Sequence, residues 1–430
     1  MSIEKLNYEL ENMIGDSGIK VPGLGVIVYF DGKEVFSKFA GSRIVGDKPK
    51  PVTRDTRFRA ASVSKMFTVF TIMQLVEQGK IHLNDDAGDY LGFSLRNPNF
   101  PDVPITIEML ASHLSSLRDG KIYSAPPDVS IREFFHSGGK FWENGVHFAP
   151  ACESPGKFFT YCNLNYGILG TIIEVVTGER FDLHQREGIL RQLDIRADYV
   201  PANLEREDFE LLGAIYRKKN SDGIWDEFGD WFAQVDDFGE IQPERDTLSL
   251  QNPYDESFSK VCDLRNYCIG TNATFFSPQG GLRISFEELA HTLEMLMSDG
   301  SFHGEEILTF SSLSKMFKSR WIYDNGNGDT CGGTVLNYGM GIYSIDGKSS
   351  SRVCKNYEIN FVGHVGQAFG LLSGLFFIPS TGSGFIYMMN GEAIQEDFDF
   401  RSFGIFSKNY IWEEKLMNAV CDFLIEKFYL

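Results

Sequence analysis

The chain has 430 residues, of which 43% are hydrophobic and 23% charged, which is the composition of an ordinary globular protein. Its formal net charge of −19 and its pI near 4.9 argue against nucleic-acid and anionic-membrane partners, because both require clustered basic residues. No apolar stretch reaches the roughly 20 residues of a membrane span. The first residues contain no basic segment followed by an apolar one, so a cytoplasmic location is expected.

The cysteines and histidines give no sign of a metal centre. The seven cysteines are an odd number, widely spaced and without a Cys-x-x-Cys pair. This pattern predicts reduced, mostly buried thiols rather than a disulfide framework or a zinc site. The histidines show no ligand spacing such as His-Glu-x-x-His, so neither a metal nor another cofactor is expected.

The predicted elements begin with an amphipathic helix over residues 3–15. A hairpin follows, with strands over 23–30 and 33–39 joined by an Asp-Gly turn. Apolar residues then lie on every side of the run 66–76, which is typical of a helix through the middle of a domain. Residues 84–104 are rich in Asn, Asp, Gly and Pro, and we expect them to be mostly loop.

Helical patterns dominate the next part of the chain, over 106–117, from a capping box at 130–133, and over 165–176. Periodicity weakens over about 220–267, where acidic and aromatic residues mix. We interpret this stretch as an ordered surface insertion in preference to a substrate lid. A capped helix over 285–299, strands over 338–345, 357–362, 369–378 and 384–390, and a helix over 411–428 complete the chain.

Strands near both termini with helices between them predict an α/β (α+β) fold, in which an antiparallel sheet is flanked by helices. A mostly helical domain would be inserted into it. We place the discontinuous sheet domain at residues 1–80 and 275–430. The helical domain would cover 81–274, with the irregular insertion inside it.

Ser62 and Lys65 are the strongest candidates for chemistry. Positions i and i+3 share a helix face, so a hydroxyl and an amine would lie side by side. The amine can accept the hydroxyl proton, and the helix N-terminus favours the developing negative charge. Six other Ser-x-x-Lys pairs occur in the chain, so the spacing alone leaves open a helix-capping serine with a solvated lysine. Only Ser62 opens a long apolar helical run.

Two later motifs single out Ser62. Phe159-Thr160-Tyr161-Cys162-Asn163 immediately precedes the predicted helix over 165–176, which places a hydroxyl and an amide on a turn. Gly363-His364-Val365-Gly366 falls between two predicted strands, where Gly366 would let a substrate backbone approach a sheet edge. Each motif is weak alone, but three in this order, each in a suitable element, indicate a site.

With these motifs the sequence resembles the penicillin-recognising serine hydrolases, which include class C β-lactamases, DD-peptidases, D-aminopeptidases and related esterases. The resemblance covers most of the chain and is weakest over about 179–271. The matching segments are 58–68, 161–167, 277–282, 338–341 and 363–366. It implies the β-lactamase/transpeptidase-like version of the predicted fold.

The resemblance also implies roles for the motif residues. Ser62 would attack the substrate carbonyl and form an acyl-enzyme, while Lys65 and Tyr161 would share the general-base and general-acid work. Which of the two takes the first proton is left open. Asn163 would hydrogen-bond the substrate's side-chain amide or the lysine.

Positions in the third motif and directly after it would complete the cleft. His364 and Gly366 would line it along the sheet edge and bind substrate. The backbone N–H groups of Ser62 and Gln367 would form the oxyanion hole.

The sequence departs from the family pattern in two places. It has no Lys-Thr-Gly triplet, and its His-x-Gly is more like that of the DD-peptidase, D-aminopeptidase and esterase branches, so strong β-lactamase activity is not expected. The usual His-Thr-Ser-Gly-Leu appears as His113-Leu114-Ser115-Ser116-Leu117, and the loss of glycine puts the shape of that turn in question. His113 itself is expected to be structural.

Three functions follow from this reading. The first is an acyl-serine hydrolase acting on a peptide-like amide, a β-lactam or a small ester, with a small molecule or short peptide as its partner. The second is a penicillin-binding sensor or slow-turnover binder. The third, a non-catalytic scaffold, is disfavoured because Ser62, Lys65 and Tyr161 are all intact.

Overall fold

The computed structural model describes residues 1–252, 255–379, 381–393 and 403–428. Its α-helices are α1 Ile3–Glu11, α2 Ser64–Glu77, α3 Ala87–Leu91, α4 Ile107–Ala111, α5 Leu164–Thr177, α6 Phe181–Gln185, α7 Arg206–Phe209, α8 Phe286–Met297, α9 Phe310–Phe317 and α10 Ile411–Phe428. Its strands are β1 Gly23–Phe30, β2 Lys33–Ile44, β3 Lys50–Pro51, β4 Arg57–Arg59, β5 Ile215–Lys219, β6 Asp230–Val235, β7 Thr247–Asn252, β8 Asp255–Asp263, β9 Arg283–Ser285, β10 Ser301–Phe302, β11 Glu305–Glu306, β12 Trp321–Ile322, β13 Asn337–Tyr338, β14 Tyr343–Ile345, β15 Phe361–Ala368, β16 Leu371–Ile378, β17 Ser383–Met389 and β18 Gly391–Glu392.

A nine-stranded sheet organises the molecule, in the order β12-β13-β14-β15-β16-β17-β1-β2-β3. Every neighbouring pair is antiparallel, which confirms the predicted fold class. Strand β1 from the N-terminal part pairs with β17 from the C-terminal part, with Leu24 opposite Met389. The two ends of the chain therefore build one sheet, while the exact domain bounds stay a prediction.

Each face of this sheet is covered by helices. Alternate residues of β1 point to opposite sides, so Val26 and Val28 pack toward α1 and α10, whereas Ile27 packs toward α2, α5 and α8. Strands β16 and β17 are buried on both faces, which is why each reads as an unbroken apolar run. The central helix α2 lies in the second of these layers, and all but a few of its side chains are buried, as its apolar sequence predicts.

Several predicted elements differ from the structure where the backbone turns sharply. The helix predicted over 106–117 ends at Ala111, because His113 and Ser116 adopt left-handed φ angles of 59° and 62°. Ser116 thus keeps the left-handed turn although the family's usual glycine is missing. The predicted loop over 84–104 contains the short helix α3, and the element at Ser130 is a 3-10 helix.

The stretch predicted as an irregular insertion, 220–267, contains β6, β7 and β8. The motif Gly363-His364-Val365-Gly366 lies within β15 rather than between two strands. The C-terminal helix has the predicted bounds, and the helix predicted over 165–176 begins at Leu164 and ends at the left-handed Gly178. Strong hydrophobic patterns with a cap thus gave correct bounds, whereas turns within polar stretches did not.

The expectation of reduced, mostly buried thiols is wrong for this chain. Cys354 and Cys421 form a disulfide between partners 67 residues apart, a separation too long for any local spacing signature. Of the five free cysteines, Cys152, Cys268 and Cys331 are exposed.

In the described part of the chain, no helix combines the length and apolar character needed to cross a membrane. The same residues include no cluster of three or more His, Cys, Asp or Glu side chains able to hold a metal ion.

Loss of the cross-link should destabilise the fold. The double variant Cys354→Ala/Cys421→Ala is expected to lower the free energy of unfolding by up to about 4 kcal/mol, because the unfolded chain regains the entropy of a 67-residue loop. Urea unfolding under non-reducing conditions measures this change. Cys152→Ala, which removes an exposed free thiol, is the control and should change stability by less than about 0.5 kcal/mol. Seven titratable thiols in the denatured, unreduced protein would contradict the cross-link.

Candidate active site

Ser62 lies in a tight 3-10 turn, Ala61–Val63, that leads directly into α2. Ala61 has a φ angle of +48°, which residues with a Cβ rarely adopt, so the surrounding structure must hold this turn in place. The Ala60 N–H donates to the Leu282 carbonyl at 2.8 Å. The Ser373 hydroxyl donates to the Ala60 carbonyl at 2.9 Å. The nucleophile candidate is thus fixed at the start of the helix by the sheet on one side and by the segment before β9 on the other.

Gly366 on β15 permits this close approach. A Cβ added to it would lie 2.4 Å from the Ser373 hydroxyl, 2.6 Å from the Ala60 carbonyl oxygen and 3.0 Å from the Ser62 nitrogen. The glycine predicted to make room for a substrate backbone is therefore needed by the protein itself, because it lets the nucleophile turn pack against the strand.

Lys65 is fully buried and donates three hydrogen bonds. Its Nζ lies 3.1 Å from Ser62 Oγ, 2.9 Å from Asn163 Oδ1 and 2.9 Å from the Gln279 carbonyl oxygen. Burial lowers the pKa of Lys65 to about 7, and the nearby carboxylate of Asp119 opposes that shift. At neutral pH a large fraction of Lys65 is therefore the free amine.

The same geometry aims the amine lone pair. A neutral lysine has two N–H groups and one lone pair. Asn163 Oδ1 and the Gln279 carbonyl can only accept, so they take the two N–H groups. Ser62 is the one partner of the three that can donate in return, so the lone pair of deprotonated Lys65 can accept a hydrogen bond from the Ser62 hydroxyl.

Asp119 holds this arrangement, although nothing in the sequence pointed to it. Its carboxylate accepts from Asn163 Nδ2 and from the Leu164 N–H, each at 2.9 Å. The bond to Nδ2 turns the amide so that Oδ1 faces Lys65. Asp119 follows the element at 113–117, but no spacing links it to Asn163, which lies 44 residues away. Only the folded chain brings the two together.

Tyr161 lies beside the pair, with its ring centre 4.7 Å from Lys65 Nζ. Burial raises the pKa of Tyr161 well above its usual value, and a hydrogen bond with Ser62 only partly offsets this. The hydroxyl is therefore protonated at neutral pH. The His113 ring packs 4.3 Å from that of Tyr161, and His113 Nδ1 accepts from the Cys162 N–H at 3.1 Å. Burial lowers the pKa of His113 well below its usual value, so it supports the tyrosine turn as a neutral ring, in agreement with its predicted structural role.

His364 is placed behind the site and does not form its wall. Its side chain is only 2% exposed, and its Nε2 lies 3.1 Å from the Tyr338 hydroxyl. Burial lowers the pKa of His364 to about 3, so the ring is neutral. The expectation that this side chain lines the cleft is wrong: a ligand would meet Gln367 and Ala368, the last residues of β15.

A cavity of about 1180 Å³ opens in front of Ser62, Tyr161, Asn163 and Gln367. Its far side includes residues of the insertion, namely Asp236, Phe238, Pro243, Thr247, Leu248 and Ser249. Part of the predicted surface insertion thus contributes to the cavity wall. Distant in sequence from the nucleophile, these residues could be assigned to the wall only from the folded structure.

The sequence model of the Beta-lactamase family matches residues 10–408. The chain belongs to the Beta-lactamase family. This match spans every residue of the site just described.

Curated relatives align with part of this family member. "Protein flp" of Staphylococcus aureus (strain MRSA252) is 25% identical over 196 residues, which are 45% of this chain and 38% of the relative. "Penicillin-binding protein 4" of Amycolatopsis lactamdurans is 28% identical over 182 residues, 41% of this chain and 44% of the relative. The chain thus matches less than half the length of either protein.

Solved structures share the fold over nearly the whole chain. The octameric penicillin-binding protein homologue from Pyrococcus abyssi has a TM-score of 0.62 at 21% identity, covering 92% of this chain and 74% of that one. EstCE1, a hydrolase with promiscuous acyltransferase activity, has a TM-score of 0.65 at 18% identity and 97% coverage of both chains. A class C β-lactamase mutant has a TM-score of 0.62 at 14% identity and 98% coverage of both.

The packing of β15 against the nucleophile turn gives a prediction for this Beta-lactamase family member. Gly366→Ala forces Cβ into the Ala60 carbonyl and should displace Ser62, so kcat/KM for an ester substrate should fall by about 100-fold. The control is Gly326→Ala, whose Cβ meets nothing within 4 Å. Equal kcat/KM values for the two variants would show that the close approach does not position the nucleophile.

Proposed function

We propose that the chain is a serine hydrolase that forms an acyl-enzyme on Ser62, acting on a peptide-like amide, a β-lactam or a small ester. The observation that carries this proposal is the environment of Lys65. Its pKa is lowered to about 7 by burial, and two pure acceptors direct its lone pair toward Ser62 Oγ. A lysine with a purely structural role would not need a hydrogen-bond partner, such as the Ser62 hydroxyl, that can give a proton to its amine.

In the proposed reaction, Ser62 Oγ attacks the substrate carbonyl carbon and its proton passes to Lys65 Nζ. Lys65 is favoured over Tyr161 as the first base. The pKa of Tyr161 is raised well above its usual value, so its hydroxyl keeps its proton, whereas the pKa of Lys65 is lowered to about 7. The backbone N–H groups of Ser62 and Gln367 would stabilise the oxyanion, since Ser62 N packs against β15 and Gln367 lines the cavity.

Collapse of the tetrahedral intermediate would break the bond to the leaving group. The Tyr161 hydroxyl would protonate the departing nitrogen or oxygen and recover its proton from Lys65, a role supported by the position of Lys65 Nζ 4.7 Å from the centre of the Tyr161 ring. A water molecule activated by the same amine would then hydrolyse the ester on Ser62. The substrate range is supported by the His-x-Gly motif and by the fold shared with EstCE1 and with a D-stereospecific amidohydrolase from Streptomyces.

The proposal is tested by incubating the protein with a fluorescent penicillin and with a panel of p-nitrophenyl esters. Ser62→Ala should abolish both labelling and ester hydrolysis, because it removes the hydroxyl that lies 3.1 Å from the proposed base, Lys65 Nζ. The matched control is Ser137→Ala, which removes an exposed serine with the same Ser-x-x-Lys spacing, and it should behave like the parent. Equal labelling and turnover in the parent and Ser62→Ala would refute the assignment, and label that persists for hours would indicate a slow-turnover binder.

The pH dependence follows from the state of Lys65. Since the neutral amine is the base, kcat/KM should rise with pH through about 7 and then level off. Neither histidine beside the site contributes, because the pKa of His364 is about 3 and that of His113 is well below its usual value. The pH profile of ester hydrolysis measures this midpoint.

Asp119→Asn should move that midpoint to lower pH. The substitution removes the negative charge that raises the pKa of Lys65, and it also loosens the orientation of Asn163, so the plateau should fall as well. Asp102→Asn, an exposed carboxylate away from the site, should leave the midpoint in place. If the pH midpoint of kcat/KM for Asp119→Asn lies at or above that of the parent, the rise in kcat/KM does not report the titration of Lys65.

A further inference from the structure

The cavity in front of Ser62 has a charge opposite to that of the whole chain. The chain carries a formal charge of −19, yet among the described residues that line the cavity there are four basic side chains and one acid, Asp236. That acid is already neutralised, because Arg283 binds it through Nε at 3.0 Å and through Nη2 at 2.8 Å. The remaining cations are Arg59, which is half-buried, and Lys121 and Lys140, which are exposed.

Arg59 is held rigidly, but by uncharged partners. Its Nε donates to the Gly280 carbonyl at 2.9 Å, and its Nη2 donates to the Ser277 hydroxyl at 3.0 Å. Its guanidinium carbon lies 5.0 Å from the ring centre of Phe369, two residues after Gln367. These two hydrogen bonds use two of the five guanidinium N–H groups, so others can bind a carboxylate in the usual forked geometry.

The other arginine of β4 differs from Arg59 in having charged partners. Arg57, on the same strand, forms ion pairs with Asp208 and Glu288. No carboxylate of the described residues forms an ion pair with Arg59. Burial and the neighbouring Arg283 lower the pKa of Arg59 to about 10, and Asp236 opposes this shift, so the guanidinium stays charged at neutral pH. A partly buried cation that forms no ion pair is stabilised when a ligand supplies the opposite charge.

Arg59 and Tyr161 are held by different segments of the chain. Arg59 donates to Gly280 and Ser277 in the segment before β9, whereas the ring of Tyr161 packs against that of His113. Since the leaving group is proposed to meet Tyr161, the acyl part is the part of the substrate left to reach Arg59.

We propose that Arg59 is a specificity residue that binds a carboxylate in the acyl part of the substrate, so that the preferred acyl donors are half-esters or half-amides of a dicarboxylic acid. The proposal rests on the acyl-enzyme function argued above. Phe369 would pack beside the acyl chain while the guanidinium takes its terminal carboxylate. Because Asp236 forms its ion pair with Arg283, it does not occupy the guanidinium of Arg59.

Paired esters test this specificity. The mono-p-nitrophenyl ester of adipic acid carries the carboxylate, and its methyl ester is the neutral match of nearly the same shape. For the parent, kcat/KM should be at least tenfold higher for the acid than for the methyl ester. Arg59→Gln should reduce that ratio to near one, and Arg59→Lys should restore part of it. Lys121→Gln removes the same charge from an exposed lining position and should change the ratio by less than threefold.

A binding measurement keeps the result separate from catalysis. The half-amide of adipic acid should raise the melting temperature of the parent and of Ser62→Ala, but not that of Arg59→Gln. One outcome would overturn the role of Arg59 and leave the acyl-enzyme proposal standing. In that outcome Ser62→Ala loses ester turnover, but the parent hydrolyses the acid and its methyl ester with equal kcat/KM. Half-amide binding without any Ser62-dependent turnover would support the carboxylate site and refute the acyl-enzyme proposal. Absence of both the preference and the binding would overturn the Arg59 site.

Discussion

The removal of the Lys65 amine from water is the constraint on which the rest of the site depends. Burial favours the neutral amine, whereas Asp119 and three hydrogen-bond partners favour the ammonium. The balance brings the pKa to about 7 rather than to the much lower value of an unpartnered buried lysine. In a fully apolar environment the amine of Lys65 could not hold the proton that it receives. In water it would already be an ammonium and could not accept a proton.

This balance requires parts of the chain that are far apart in sequence. The segment before β9 supplies the Gln279 carbonyl to Lys65, the Pro278 carbonyl to Thr68 and the Leu282 carbonyl to Ala60. The turn before α5 supplies Asn163, and Asp119 fixes the direction of its amide. On the other side, β15 approaches so closely that only a glycine fits at position 366. The positive φ angle of Ala61 is tolerated because contacts on both sides oppose its relaxation.

The proposed preference for a carboxylate would come from the cavity and not from the nucleophile. Residues of the insertion line the cavity and include Asp236, which forms its ion pair with Arg283 and not with Arg59. The electrostatic character of the pocket thus differs in sign from that of the acidic chain around it. Such a local reversal is useful for an anionic substrate, because a low-dielectric wall strengthens the attraction near the reacting bond.

The sequence by itself determined the elements that strong apolar patterns define: the buried helix α2, the helices α5 and α10, the β1–β2 hairpin and the apolar strands β16 and β17. It also identified Ser62, Lys65, Tyr161 and Asn163, which the fold brings into one cluster. Only the tertiary structure decided that Asp119 orients Asn163, that His364 is buried behind the wall, that residues 236–249 line the cavity, and that Cys354 reaches Cys421. The physical reason is the same in each case. Local periodicity reports which face of an element is apolar, whereas hydrogen bonds, desolvation and ion pairs between distant segments depend on distances that only the packed chain sets.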